Sequence, residues 1–293
     1  MTNRIQHIIE SRTKDLGGGM MVSRVLPFAK KRMVGPFIFL DHMGPVHFDK
    51  DHKMTVNPHP HIGLSTLTYL FKGRIHHHDS LGSSAIIVPG EVNWMTAGKG
   101  ISHSEKTPED DLGNETDVHG LQFWVALPDD LEEMEPSFEN YKTNEIPKVE
   151  STDATIDVVV GNFADKVSPV KAYSPVTFIN IKAKNDFYFV QGENNFELAL
   201  FLIEGSMTID GKIYENHELI VFERGSKIEA TITKGSHCAL IGGEPFLNPK
   251  FIWWNFVSSS KEKMKTARDN WNEGNFPQVP NEGNRLFAPL EMI

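Results

Sequence analysis

The sequence predicts an all-β chain of two packed antiparallel barrels or sandwiches, followed by one C-terminal helix. Three observations lead there. Short apolar runs recur along the chain, each ended by glycine, proline or Asx residues. The 23 glycines and 17 prolines are enough for many turns and too few for a low-complexity chain. The halves also echo each other: Leu70-Phe71-Lys72-Gly73 returns 132 residues later as Leu202-Ile203-Glu204-Gly205. Each copy is followed by a second strand, a turn and a run such as Ile86-Ile87-Val88 or Leu219-Ile220-Val221, which supports an internal duplication.

Taken in order, the strand-like runs of the first half are Leu64–Phe71, Ile86–Val88, Val92–Met95 and Leu121–Leu127. Those of the second half are Thr155–Val160, Val176–Ile181, Leu198–Ile203, Leu219–Phe222 and Ile228–Ile232. Asp210-Gly211 between Met207–Ile209 and Lys212–Tyr214 marks a tight hairpin. The helix begins at Ser259-Ser260-Lys261-Glu262, which has capping-box spacing. Met264, Ala267 and Trp271 then share one helical face, and Asn272 and Gly274 stop it.

A length of 293 residues fits two domains of roughly 150 residues. The acidic, proline-bearing stretch Pro128–Asp153 separates them; residues Asp129 to Glu139 hold six carboxylates and no base, the mark of a solvated segment. The expected organisation is a metal-binding barrel at 1–135, an acidic linker at 136–153, and a metal-free barrel with helix and tail at 154–293.

Composition removes several classes. The formal net charge is −10, and the densest basic run is Lys30-Lys31-Arg32, so direct nucleic-acid binding is disfavoured. No apolar run approaches the ~20 residues that span a bilayer. Met1 to Gly19 lacks the apolar core of a signal peptide, and one cysteine, Cys238, suits a reducing compartment; the expected location is the cytoplasm. Cys238 itself reads as a small buried hydrophobe.

Histidine carries the chemistry. Ten of the 13 lie between His42 and His119, the others being His7, His217 and His237. In an extended strand residues i and i+2 share a face, so His59 and His61 point together, as do His103 and Glu105. A pair such as His59-Pro60-His61 alone fits an ordinary histidine pair. With His103-Ser104-Glu105 in a second glycine-bounded segment, neighbouring strands would converge three imidazoles and a carboxylate. That donor set suits Fe(II), Mn(II), Ni(II), Cu(II) or Zn(II). His217 and His237 form no comparable pattern. His76-His77-His78 reads as an exposed hairpin strand, with His76 and His78 facing opposite to His77. His42, His47 and His52 read as solvated or locally bonded, and His119 as a contact behind the metal ligands. Phe37, Phe39, Trp94, Phe123 and Trp124 read as core, one or two of them able to line a mouth for a flat aromatic ligand.

The run from Asn57 to Glu105 resembles the pirin family of the cupin superfamily. The matching pieces are His59-Pro60-His61, Thr66-Leu67-Thr68-Tyr69, His78-Asp79-Ser80-Leu81-Gly82, Trp94-Met95-Thr96-Ala97-Gly98-Lys99-Gly100-Ile101 and His103-Ser104-Glu105. Further on, His119 to Val125, Gly242-Gly243-Glu244-Pro245 and Trp254-Asn255-Phe256-Val257-Ser258 look like later family segments. An ordinary cupin places its glutamate a few residues after HxH, where Ser65 and Thr66 stand here.

The resemblance implies a bicupin, two antiparallel β-barrels packed face to face, with His59, His61, His103 and Glu105 binding one iron in the N-terminal barrel. It also implies two functions. One is a quercetin 2,3-dioxygenase-type oxygenase acting on a flavonol or similar aromatic with O2, Glu105 serving as ligand and general base. The other is a non-enzymatic, iron-dependent protein partner or co-regulator of a transcription factor or metabolic enzyme, for which the acidic surface suits a basic partner.

Overall fold

The computed structural model describes residues 4–17, 19–192 and 195–291. Among them are 26 strands and one α-helix. The chain opens with β1 (Ile5–Glu10), β2 (Arg12–Asp15), β3 (Met21–Leu26), β4 (Phe37–Phe48), β5 (Thr55–His61), β6 (Leu64–Lys72), β7 (Ile75–Asp79) and β8 (Ser84–Ile87). It continues through β9 (Val92–Thr96), β10 (Ile101–Lys106), β11 (Thr116–Ala126), β12 (Ser137–Tyr141), β13 (Lys148–Glu150), β14 (Ala154–Val160), β15 (Asn162–Phe163), β16 (Lys166–Val167) and β17 (Val176–Ala183). The last strands are β18 (Phe187–Gly192), β19 (Glu197–Glu204), β20 (Ser206–Ile209), β21 (Lys212–Glu215), β22 (Glu218–Phe222), β23 (Lys227–Ile232), β24 (His237–Gly243), β25 (Phe251–Trp253) and β26 (Phe256–Ser258), before helix α1 (Lys261–Glu273).

The duplication predicted from four residues is written into the strand order. One seven-stranded sheet runs β1-β22-β19-β24-β17-β14-β13, the other β12-β9-β6-β11-β4-β3-β2. Four-stranded sheets of order β18-β23-β20-β21 and β5-β10-β7-β8 accompany them. Position for position the two sets correspond. The architecture is the all-β bicupin expected, with the difference that the sheets stay open rather than closing into continuous barrels.

The repeated tetrapeptides end equivalent strands, β6 and β19. Each closes on a left-handed glycine, Gly73 at φ 86° and Gly205 at φ 89°. A Cβ at Gly73 would lie 1.8 Å from the Asp117 carbonyl oxygen, and one at Gly205 would lie 2.3 Å from Ser236 Oγ. Only glycine meets both demands.

The compact units are not the sequential halves expected from 1–135 and 154–293. One comprises residues 1–12, 23–40 and 144–246; the other comprises 13–22, 41–143 and 247–293. The first strand pairs antiparallel with β22, Ile9 opposite Leu219. Helix α1 and the tail belong with the histidine-rich unit. There Met264, Ala267 and Trp271 bury against Ile62 and Phe256. Pairing between distant segments follows edge availability and apolar fit, which local periodicity does not encode.

The supposed linker is also ordered. Its first part forms β12 on β9, and its second forms β13 on β14. Glu132, read as solvated, is 2% exposed. It accepts bonds from Lys250 Nζ at 2.7 Å, Ser258 Oγ at 2.8 Å and the Ser259 amide at 2.7 Å. The α1 cap is Ser260 rather than Ser259, its hydroxyl accepting from the Lys263 amide, while Gly274 at φ 84° ends the helix. Asp210 at φ 50° and Gly211 at φ 77° form the expected hairpin turn between β20 and β21.

Candidate metal centre

His59 and His61 stand on β5, the edge strand of its sheet. Prolines 58 and 60 alternate with them. Proline donates nothing to a ladder, so an edge is where such a sequence can pair. β10 runs antiparallel beside it, with His103 opposite His59 and Ile101 opposite His61. The imidazole centroids lie 4.4 Å apart for His59 and His103, 5.1 Å for His59 and His61, and 5.0 Å for His61 and His103. All three side chains are buried. One donor atom from each falls within 4.8 Å of the other two, and among the described residues this is the one such group.

Glu105 lies outside that set. Strict alternation expects four converging ligands, but the β5–β10 register shifts between His103 and Glu105, which face His59 and Val56. Two steps on β10 therefore match three on β5, and this bulge breaks the alternation that would level the carboxylate with the imidazoles. Glu105 is still buried, and its carboxyl bonds the Thr68 hydroxyl. Gln122 Oε1, at 2.8 Å from that hydroxyl, is a second acceptor competing for its one proton. Burial pushes the Glu105 carboxyl up to about 7, with Thr68 acting in the opposite sense.

The surroundings settle which ring nitrogens carry protons. Burial lowers the imidazoles of His61 and His103 well below their ordinary value and His59 to about 4, so the rings are neutral near pH 7. His59 Nδ1 meets the Asn57 carbonyl at 2.9 Å, and His61 Nδ1 meets the Asn255 carbonyl at 3.0 Å. A carbonyl only accepts, so both Nδ1 atoms donate. His103 Nδ1 meets His77 Nδ1 at 3.4 Å, and His77 Nε2 meets Asp79 Oδ2 at 3.1 Å. Burial likewise keeps His77 neutral. Asp79 is ionised: burial opposes this, but bonds from His77 and Ser83 outweigh it. The carboxylate accepts a hydrogen bond from the His77 Nε2–H, so His77 Nδ1 accepts and His103 Nδ1 donates. Every Nε2 lone pair is then left free for a cation. Those of His61 and His103 face each other at 3.1 Å, an arrangement that a shared divalent ion relieves. The donor set thus fits a borderline metal.

Other expected residues resolve differently. His77 is buried and stacks on Phe138 at 4.4 Å, contrary to the exposed strand expected of His76-His77-His78. His76 and His78 face outward as predicted, and His78 pairs with Glu282 at 3.2 Å. His42, read as solvated or locally bonded, is 1% exposed and bonds a residue 77 positions away. Its Nε2 contacts His119 Nε2 at 2.8 Å, so His119 serves this second pair. His47 and His52 are exposed beside Asp117 and Asp49. The five aromatic residues read as core are all buried, and Trp124 meets His61 edge-on at 5.1 Å. In the other unit His237 pairs with Asn180 at 2.6 Å. Sequence reasoning missed His77, Asp79 and Asn255. The alternation Ile75-x-His77-x-Asp79 carries a signal for the first two; Asn255 acts through its main chain and leaves none.

Known proteins align with this geometry. The family model described as Pirin matches residues 19–125, and that of the Pirin C-terminal cupin domain matches 178–277. A Pirin-like protein of Caulobacter vibrioides is 41% identical over 290 residues, covering 98% of this chain and 99% of the relative. A crystal structure of quercetin 2,3-dioxygenase from Acinetobacter baumannii superposes with a TM-score of 0.90 at 38% identity, covering 97% and 95% of the two chains. The bacterial pirin YhhW from Escherichia coli, solved in complex with nickel(II), shares the fold at 18% identity and a TM-score of 0.64, covering 82% and 99%. With both cupin units matched and the three imidazoles gathered on β5 and β10, the chain belongs to the pirin family.

Proposed function

We propose that the protein is a metal-dependent dioxygenase of the quercetinase type, with Fe(II) at His59, His61, His103 and Glu105. The observation that carries the reading is the convergence of three buried, neutral Nε2 donors, one of which, His103, shares its strand with a carboxyl poised near neutrality. Likeness to the Acinetobacter baumannii quercetin 2,3-dioxygenase supports a flavonol or related aromatic as substrate. A divalent metal there supplies a Lewis-acid centre for an ionised hydroxyl and a route for electron density towards O2.

The chain's own residues do the rest. Glu105, raised to about 7, accepts the flavonol hydroxyl proton at its carboxylate. Thr68, with Gln122 behind it, orients that carboxylate through its hydroxyl. Buried Trp124 beside His61 keeps water from the ligand face. Among the described residues no helix is long and apolar enough to cross a membrane.

Metal analysis of anaerobically purified protein, paired with oxygen uptake on adding quercetin, tests the reading. The expected result is one iron per chain and uptake that disappears in Glu105→Gln. Bound iron without uptake overturns the enzymatic reading and favours an iron-bearing protein partner, for which the net charge of −10 suits a basic docking face.

A further inference from the structure

Two of the three imidazoles donate to main-chain carbonyls, which no substitution of a single side chain removes. His103 differs: its Nδ1 is held by a side-chain relay through His77 to Asp79. Both relay residues are at most 1% exposed. The relay is anchored at each joint. Phe138 stacks on the His77 ring with an interplanar angle of 14°. Asp79 Oδ1 accepts the Leu81 and Ser83 amides at 2.9 and 3.0 Å, which leaves Oδ2 aimed at His77.

We propose that Asp79 and His77 are positioning residues that fix the His103 tautomer, and with it the donor strength of one metal ligand. This rests on the metal-binding part of the proposed function. The Asp79 carboxylate can only accept, so His77 keeps its proton on Nε2 and offers Nδ1 to His103. His103 then carries its proton on Nδ1 and presents Nε2 to the metal. An outer carboxylate behind a ligating histidine also makes that ligand a stronger donor.

Asp79→Asn tests the relay by changing one atom. The retained Oδ1 still accepts the Leu81 and Ser83 amides. The new amide donates to His77 Nε2, which drives the His77 proton to Nδ1 and the His103 proton from Nδ1 to Nε2, blocking the metal-facing lone pair. His77→Phe keeps the stack on Phe138 and removes the relay without reversing it. Two measurements are made: 15N chemical shifts of labelled imidazoles in metal-free protein, and competition for Co(II) against a chromophoric chelator. The wild type is expected to show His103 protonated at Nδ1. Asp79→Asn is expected to show Nε2 protonation and Co(II) binding weakened about 10- to 100-fold, and His77→Phe a loss in that range without Nε2 protonation. Nδ1 protonation retained in Asp79→Asn, or unchanged affinity in both variants, overturns the proposal. If Asp79→Asn fails to fold, the affinity of His77→Phe decides. A wild type that binds no Co(II) sinks the metal-site reading, whereas the shifts still report on the relay itself.

Discussion

The main-chain carbonyl of Asn255 accepts a hydrogen bond from His61 Nδ1 at 3.0 Å, across 194 residues of sequence. It stands at the turn between β25 and β26, and Phe256 bridges to Ile62, the residue after His61. The C-terminal segment therefore shapes the candidate metal centre directly. Its anchor is Trp271, fully buried, with its indole nitrogen donating to the Leu286 carbonyl at 2.6 Å. Trp271→Ala is expected to cost about 3–5 kcal/mol in chemical denaturation and to lower metal content after dialysis. Unchanged metal retention would separate the helix from the site.

The outward face of β10 is gripped by the tail. Glu282 accepts from Ser104 Oγ at 2.8 Å and Lys106 Nζ at 2.6 Å, and pairs with His78 at 3.2 Å. Ser104 and Lys106 alternate with His103 and Glu105 along the same strand. Glu282→Ala leaves these partners unsatisfied, a cost of about 1–3 kcal/mol. Stopped-flow transfer of metal to a chelator is expected to be faster than in the wild type, and an identical rate would show that the tail does not steady the ligands.

Lys250 is a fully buried cation between Glu132 and Asp129. Glu132→Ala removes the buried one of the lysine's two carboxylates and leaves Lys250 with the half-exposed Asp129 alone, a loss expected to be about 3 kcal/mol, measured by urea unfolding. The bond from Lys250, assisted by Asn248, holds the Asp129 carboxyl below its ordinary range. A lowered folded value stabilises above the unfolded value of 3.8 and is lost as pH falls through the folded one. The acid-unfolding curves of wild type and Asp129→Asn are therefore expected to converge only as pH falls below 3.8 and through the lowered folded value, where the carboxyl becomes protonated in both states. Parallel curves through that range would assign the effect elsewhere.

Cys238 is buried in the apolar core, which pushes its thiol up to about 12 from an ordinary 9.0. The folded chain keeps it neutral while the unfolded chain can ionise it. Its contribution to stability is therefore complete below pH 9.0 and declines as pH rises towards 12. A chromogenic disulfide is expected to leave the native thiol untouched at pH 8 and to titrate it fully in denaturant. Rapid labelling of native protein would contradict this burial.

The sequence was most legible where strands are half-buried and turns are chemically marked. The run Leu64–Phe71 is β6 to within one residue, and Asp210-Gly211 is a left-handed turn because those residues tolerate positive φ. His59, His61 and His103 were legible because two-residue alternation survives on paired strands. Glu105 was less so, since a one-residue bulge leaves no local signature. Glu132 illustrates the other limit: six carboxylates in a short stretch read as solvated, yet one of them finds a buried lysine more than a hundred residues away.

The histidine-bearing strands β5 and β10 occupy the same places in their sheet as β18 and β23 in theirs. There, Phe189 and Ala230 stand opposite each other, and both join a hydrocarbon core with Ile228 and Ile232. One blueprint thus houses two incompatible interiors, imidazole in one copy and aliphatic in the other. The interior cannot be what selects the strand order. What the two copies share besides that order is the corner after β6 and β19, a left-handed glycine in each, Gly73 and Gly205.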